Sequence, residues 1–407
     1  MFNKYDKNQR RKELDKRLGR RGPIFKKSIL KALVIVIALA VFAGIVLLFN
    51  YVAQIKYTKY DILKRDNLVK AGDSLENDLT YTNFLDGTLK ISKDGVSFIT
   101  INGITKWSVS YNLKNPLVVK NKEYFAIVDR GYGDFYIFGK DGLTGQNKTL
   151  LPIMDAAISS YGDLYIILSD DLSSIISVFS RNGIELQNKI RTIISSNGYA
   201  VGIDCTDDGH LIMAPFTYID SGILKSKVCF YYLNSEGEAD LSNNNGFAAG
   251  FDDEFENTMV GKVEFFDNKT AYAITNENIV FFEIQNSRMP KISKVKRFDK
   301  RVKSISSDPT SLAVLFEDGE IIVFDKHGRE RKWMSDISYG YSSFDISHGY
   351  IYFTTQSDLK IYSKTGKLIA DCEFEDEINS IVIDRNLFTF NMLISFKNSI
   401  SLVRLVH

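Results

Sequence analysis

The residues able to do acid–base, nucleophilic or metal chemistry are spread along this chain in no reactive pattern. Its four histidines, His210, His327, His348 and His407, are far apart in sequence, and none stands in an HExxH helix motif. GxSxG, a P-loop and GxGxxG are likewise missing from any supporting strand–turn–helix context. Cys205, Cys229 and Cys372 form no CxxC and no Cys/His metal spacing, and three cysteines are too few for a disulfide framework. They read as small buried apolar residues. The acidic run Asp252-Asp253-Glu254-Phe255-Glu256 lacks the alternating Asp/Asn ladder and turn glycine that shape a calcium loop, so it reads as a solvated turn. No catalytic residue, cofactor or metal is assigned.

The elements that must position any functional group are short strands. From Leu79 onward, β-branched and aromatic runs are broken by Gly, Asn, Asp and Ser turns, the pattern of hairpins, and helix-period segments are missing. One unit recurs, an apolar strand ending in polar residues and a turn: VSFITING103, FYIFGKDG142, ISVFSRNG183, CFYYLNSEG237, VFFEIQNS287, IIVFDKHG328 and LKIYSKTG366, with a last copy, ISLVRLV, near the C-terminus. The spacings are 39, 41, 54, 50, 41 and 38 residues, and a period near 40 with several strands per unit is the signature of propeller blades. The expected fold is all-β, a β-propeller of seven or eight four-stranded blades over residues 79–407. Eight copies of the strand favour eight, at about 41 residues each. Trp107 and Trp333 follow turn glycines and are expected to pack one blade on the next. The last unit offers three strands, 379–384, 391–397 and 399–406, so a fourth must come from the N-terminal side, either residues 56–78 or 79–84.

The N-terminal part is different in kind. Ala32 to Ile55 are twenty-four consecutive uncharged residues, a helix of roughly 36 Å against a hydrocarbon core of about 30 Å. Residues 29–55 are therefore expected to be one transmembrane α-helix, partnered by the lipid bilayer, and its length distinguishes it from a cleaved signal peptide. Residues 1–31 hold twelve Lys/Arg against three acids, a net of +9, and the remaining 376 residues carry 39 basic and 47 acidic groups, a net of −8. Basic residues before a span hold that end in the cytoplasm, which puts residues 1–28 inside as a polar tail and the propeller outside. Residues 56–78 read as a polar stem. The mildly acidic remainder has no counterion-release drive toward nucleic acid.

The chain also resembles a bacterial family known only as a domain of unknown function, number 5711. The resemblance rests on Lys90-Ile-Ser-Lys-Asp-Gly95, Ile101-Asn-Gly103 followed by Trp107-Ser-Val-Ser-Tyr111, Asn115-Pro116, Val128-Asp129, and Asp208-Gly209 followed by Phe230-Tyr231. It implies a single-span protein with a propeller-like ectodomain and implies no activity, so no catalytic residue is carried over.

Two consecutive units are long, at 54 and 50 residues, and the excess falls at 216–227 and 241–260. In an antiparallel blade the turn between strands B and C and the connection from strand D to the next blade emerge at the same end, so both insertions are expected on one face. Long loops on a rigid scaffold are where binding concentrates. Phe216, Tyr218, Phe247, Phe251 and Phe255, beside Asp220, Asp252, Asp253, Glu254 and Glu256, are the expected binding residues, an aromatic platform with acidic recognition. The function expected is a membrane-anchored extracytoplasmic binding or scaffolding module with a protein or cell-wall polysaccharide partner. The competing classes are an exported enzyme gathering polar groups from several blades around a channel, and a ligand sensor signalling through the span. Clustered carboxylates of raised pKa in the channel would favour the enzyme.

Overall fold

The computed structural model describes residues 5–17, 30–44, 56–67, 79–100, 103–186, 189–233, 246–256, 258–286, 289–335, 340–385, 390–396 and 399–406. Two units divide at Lys56. The second unit is a β-propeller of eight antiparallel blades. Blades 1 to 7 occupy residues 80–110, 116–148, 153–193, 199–251, 262–297, 302–334 and 343–373, and blade 8 combines 378–406 with 59–67. In each blade the strands are lettered A to D in the order of the sheet. Strand A of blade 4 is broken into Tyr199–Ala200 and Asp204–Cys205, both paired to Leu211–Asp220.

Burial follows from position in the blade. Phe125–Asp129 and Ser311–Phe316 are middle strands and are buried at every residue, because both of their faces lie against neighbouring blades. Met289–Arg297 is an outer strand and alternates, with Lys291, Ser293 and Arg297 among its polar positions. The recurrent turn glycine has a steric cause. Gly328 and Gly366 adopt positive φ, and a Cβ at Gly366 would lie 2.6 Å from the Trp333 ring of the preceding blade, as one at Gly328 would lie 2.8 Å from Phe281. Trp333 packs on Tyr362 of the next blade, and Trp107 stacks on Phe138 of blade 2 while donating its indole N–H to the Lys140 carbonyl. Both tryptophans are joints between blades, as expected.

The ring is closed by Lys59–Asn67, which pairs with Ser399–Val406 from Lys59↔Val406 to Asn67↔Ser399. Arg65 is ion-paired with Asp376, and Tyr60 stacks 4.4 Å from Phe374. The stretch read as a spacer stem is thus a blade strand over residues 59–67, while Thr80–Phe84 opens blade 1 instead. Residues 68–78 lie outside the described residues, as do residues 101 and 102 of the family motif.

In the first unit, Tyr5–Arg17 is an α-helix within the stretch read as a polar tail. Its Lys, Arg, Glu, Gln and Leu residues are good helix formers with no Gly or Pro among them. Residues 30–44 are also helical. Among the described residues no helix is long and apolar enough to cross a membrane. Residue 29 and residues 45–55 of the expected span lie outside the described residues.

Deleting residues 59–67 removes the outer strand of blade 8 and leaves Ser399–Val406 as an open edge. The single cooperative unfolding transition should be lost in calorimetry. An unchanged melting curve would refute closure by this strand.

Candidate functional site

Blade 4 departs from its neighbours. Its B and C strands, Leu211–Asp220 and Ile223–Tyr232, pair over ten positions and turn through Ser221-Gly222, where both residues have positive φ. The corresponding B–C pair in blade 6 spans five. The insertion at 216–227 is therefore a ribbon rather than a loop. Strand D, Phe247–Phe251, stops opposite Val228, so the far end of the ribbon projects beyond it. The chain then turns through a 3-10 helix, Asp253–Phe255, and reaches blade 5. Leu241 to Asn245 of the second insertion lie outside the described residues.

The two insertions meet through Lys225. Its ammonium lies 2.9 Å from Asp220 and 3.8 Å from Glu256. The hydrogen bond to Asp220 holds the lysine pKa up and the aspartate pKa down. Both acids are exposed, so the pair orders the tip more than it stabilises the fold. Beside it the Val260 N–H donates to Ser226 Oγ at 3.4 Å, and Lys227 lies 5.5 Å over the half-buried Tyr218 ring. Asp252 and Asp253 are exposed on the connecting turn, and the half-buried Glu254 uses its carbonyl to accept from Asn278 Nδ2 at 2.7 Å.

The aromatic residues expected to form a platform are dispersed. Phe216 and Phe255 are fully buried in separate apolar clusters. The alternation of the extended ribbon turns Phe216 inward, and the 3-10 turn drives Phe255 under blades 4 and 5. Phe247 is exposed but begins strand D, at the opposite end of the blade from Asp252, and its ring meets Tyr231. Phe251 packs at 5.1 Å on Phe282 of blade 5. What the tip does expose is aliphatic: Ile219, Ile223 and Leu224. Their signal in the sequence was three branched apolar residues flanking a Ser-Gly turn.

A second set of polar groups, not singled out from the sequence, lies on the first strands. The carboxylate of Asp155 in blade 3 accepts from the Ile203 N–H at 3.1 Å, and that of Asp204 in blade 4 accepts from the Phe265 N–H at 2.6 Å. Glu264 in blade 5 accepts from Tyr272 at 2.6 Å and from Ser307 of blade 6, and is ion-paired with Lys262 at 2.8 Å. Ser306 accepts from the Ile346 N–H of blade 7 and bonds Asp345, which also receives the Tyr352 hydroxyl. Burial raises the Asp155 pKa, and burial followed by the Glu264 charge raises Asp204 to about 8. Lys120 in blade 2 donates to Thr82 at 2.8 Å and to the Asn83 carbonyl at 2.9 Å. The legible signal was an acid flanked by apolar residues within a strand, Asp155 in IMDAAI and Glu264 in KVEFFD. The arrangement stitches blade 2 to blade 1 and each of blades 3 to 6 to the blade that follows it.

Residues 53–405 match the model described as "Family of unknown function (DUF5711)", and the chain belongs to that family. No curated protein matches the sequence. Among solved structures the chain is similar to Sqt1 of Saccharomyces cerevisiae (TM-score 0.53, 10% identity, covering 86% of this chain and 99% of that one). It is also similar to BamB from Moraxella catarrhalis (0.51, 11%, 85% and 100%) and apo AztD from Citrobacter koseri (0.50, 12%, 75% and 90%). At such identities the likeness is one of fold.

Two outcomes follow for stability. Phe255→Ala or Phe216→Ala should cost about 3–5 kcal/mol in chemical denaturation, whereas Asp252→Asn should stay within about 0.5 kcal/mol. The native Asp204 carboxyl holds its proton to about pH 8, while an unfolded carboxyl releases it near 3.8. The native state therefore binds the extra proton between those values, and this group's contribution to stability falls as pH rises through that window. Asp204→Asn should lose less stability than the wild type between pH 5 and pH 8; parallel curves would refute the assignment.

Proposed function

We propose that this member of the DUF5711 family is a membrane-anchored extracytoplasmic binding or scaffolding module whose partner is a protein or a cell-wall polysaccharide. The observation that carries the reading is the tip of blade 4, where an extended ribbon and the 252–256 turn are tied together by Lys225 at one end of a closed ring. A ring of eight mutually buried blades is a rigid support, and the place where, among the described residues, blade 4 grows outward is where a partner would be met. Anchoring is supported by the uncharged run at 32–55, and an outward-facing propeller by the net +9 of residues 1–31. An exported enzyme is the second reading, favoured by the raised pKa of Asp204 beside Glu264. It is the weaker one, because both carboxylates already receive donors from neighbouring strands.

Cys205, Cys229 and Cys372 are buried, so an added surface cysteine would be the reactive thiol among the described residues. In Ser221→Cys, an impermeant maleimide should label intact cells, and labelling only after lysis would reverse the topology. A crosslinker carried by the same introduced thiol should trap a specific partner in the native cells. Trapping nothing would sink the binding-module reading.

A further inference from the structure

The end of the ring that bears the B–C turns and the D–A connections carries a group of exposed apolar side chains over blades 3 and 4. Ile219 is 75% exposed and Leu172 73%, and Ile193, Ile223, Leu224 and Met259 are exposed with them. These residues are joined by the fold. The Ile194 N–H donates to the Leu172 carbonyl at 3.0 Å, placing the B–C turn of blade 3 beside the 193–198 connection. Tyr199 pairs with Thr217 at the base of the ribbon, Ile219 pairs with Leu224 at its tip, and Val260 beside Met259 is bonded to Ser226. Scattered apolar residues need no explanation, but six sharing one end of two adjacent blades mark an interaction surface.

The rim identifies the occupant. Asp171, Asp220, Asp252, Asp253 and Glu256 are exposed around the patch, against Arg191, Lys225 and Lys227. Five acids against three bases leave a net of −2 around the patch, with Lys225 paired to Asp220 and Glu256. An acidic rim repels anionic lipid, and a second copy would bring two acidic rims together. Both occupants are therefore disfavoured, and a cationic apolar polypeptide is complementary. The chain enters the ring at Lys59, opposite Val406, which is the other end of the blades from the patch. We propose that this surface docks a protein segment that is apolar on one side and rich in lysine or arginine. The proposal rests on the binding-module reading and specifies its partner.

The test uses the full chain in discs of zwitterionic lipid, with empty discs as the blank. The probe is a short fluorescent amphipathic peptide of leucine and lysine, beside a counterpart of leucine and glutamate. The leucine–lysine peptide should bind saturably, and the leucine–glutamate peptide at least about tenfold more weakly. The triple variant Ile219→Ser/Ile223→Ser/Leu224→Ser should weaken the leucine–lysine peptide about tenfold or more, while Ile104→Ser, at the other end of the ring, should leave it unchanged. Asp252→Asn/Asp253→Asn, which alters no buried group, should weaken binding and flatten its salt dependence. Equal binding of the two peptides, or equal binding by wild type and the triple variant, overturns the proposal. So does self-association, or attachment to anionic vesicles, that the triple variant abolishes. The in-cell crosslink from Ser221→Cys separates the two claims: a partner trapped equally in the triple variant refutes this surface and leaves the module reading standing, whereas no partner in either background removes both.

Discussion

The structure depends on the pairing of Lys59–Asn67 with Ser399–Val406. A propeller blade buries its two faces only against its neighbours, so seven completed blades and a three-stranded eighth would leave an open edge and an exposed core. The strand comes from the opposite end of the sequence, which makes the ring cooperative across its whole length. Tyr57 and Tyr60 add aromatic contacts with Phe390 and Phe374 at the same seam. Such pairs contribute about 0.5–1.5 kcal/mol each.

Two kinds of joint hold the remaining blades in register. Toward the outside, the last two strands of one blade lie on the turn glycine of the next, with Trp333 on Gly366 and Phe281 with Lys294 on Gly328. Toward the first strands, a side chain of one blade receives a backbone N–H from the next, as Asp155 does from Ile203, Asp204 from Phe265 and Ser306 from Ile346. The second kind explains how acids can sit on apolar strands. Each carboxylate satisfies an N–H that has no strand partner on that side, and where the solvent shell is stripped away, as at Asp204, the carboxyl keeps its proton instead of its charge. Raised carboxylate pKa values are therefore compatible with assembly as well as with catalysis.

Against so regular a frame, blade 4 stands out for what it displays. Its ribbon extends past strand D, its first strand is broken opposite Ala214-Pro215, and the turn after strand D folds back onto Lys225. Phe216 and Phe255 of these insertions were recruited into the core, while Ile219, Ile223 and Leu224 took the surface. A binding role for this region then rests on Ile219, Ile223 and Leu224 with an acidic rim, and not on an aromatic platform.

The sequence by itself determined the all-β repeat, a ring of seven or eight blades, the turn glycines, the tryptophan joints and the location of the two insertions, because each follows from local turn chemistry and from a period the chain repeats; the count of eight came with the closed ring. It also determined that the last unit was one strand short. Only the tertiary structure decided that Lys59–Asn67 supplies that strand, since both N-terminal stretches had suitable length and the choice is made by pairing across the whole ring. The same limit applied at the site. Phe216 and Phe255 look like surface aromatics when read as loop residues, and the strand alternation and the 3-10 turn that bury them depend on the neighbouring blade. The acids of the first strands were visible one at a time, but their meaning lies between blades, where sequence separation carries no information about which backbone N–H a carboxylate will meet.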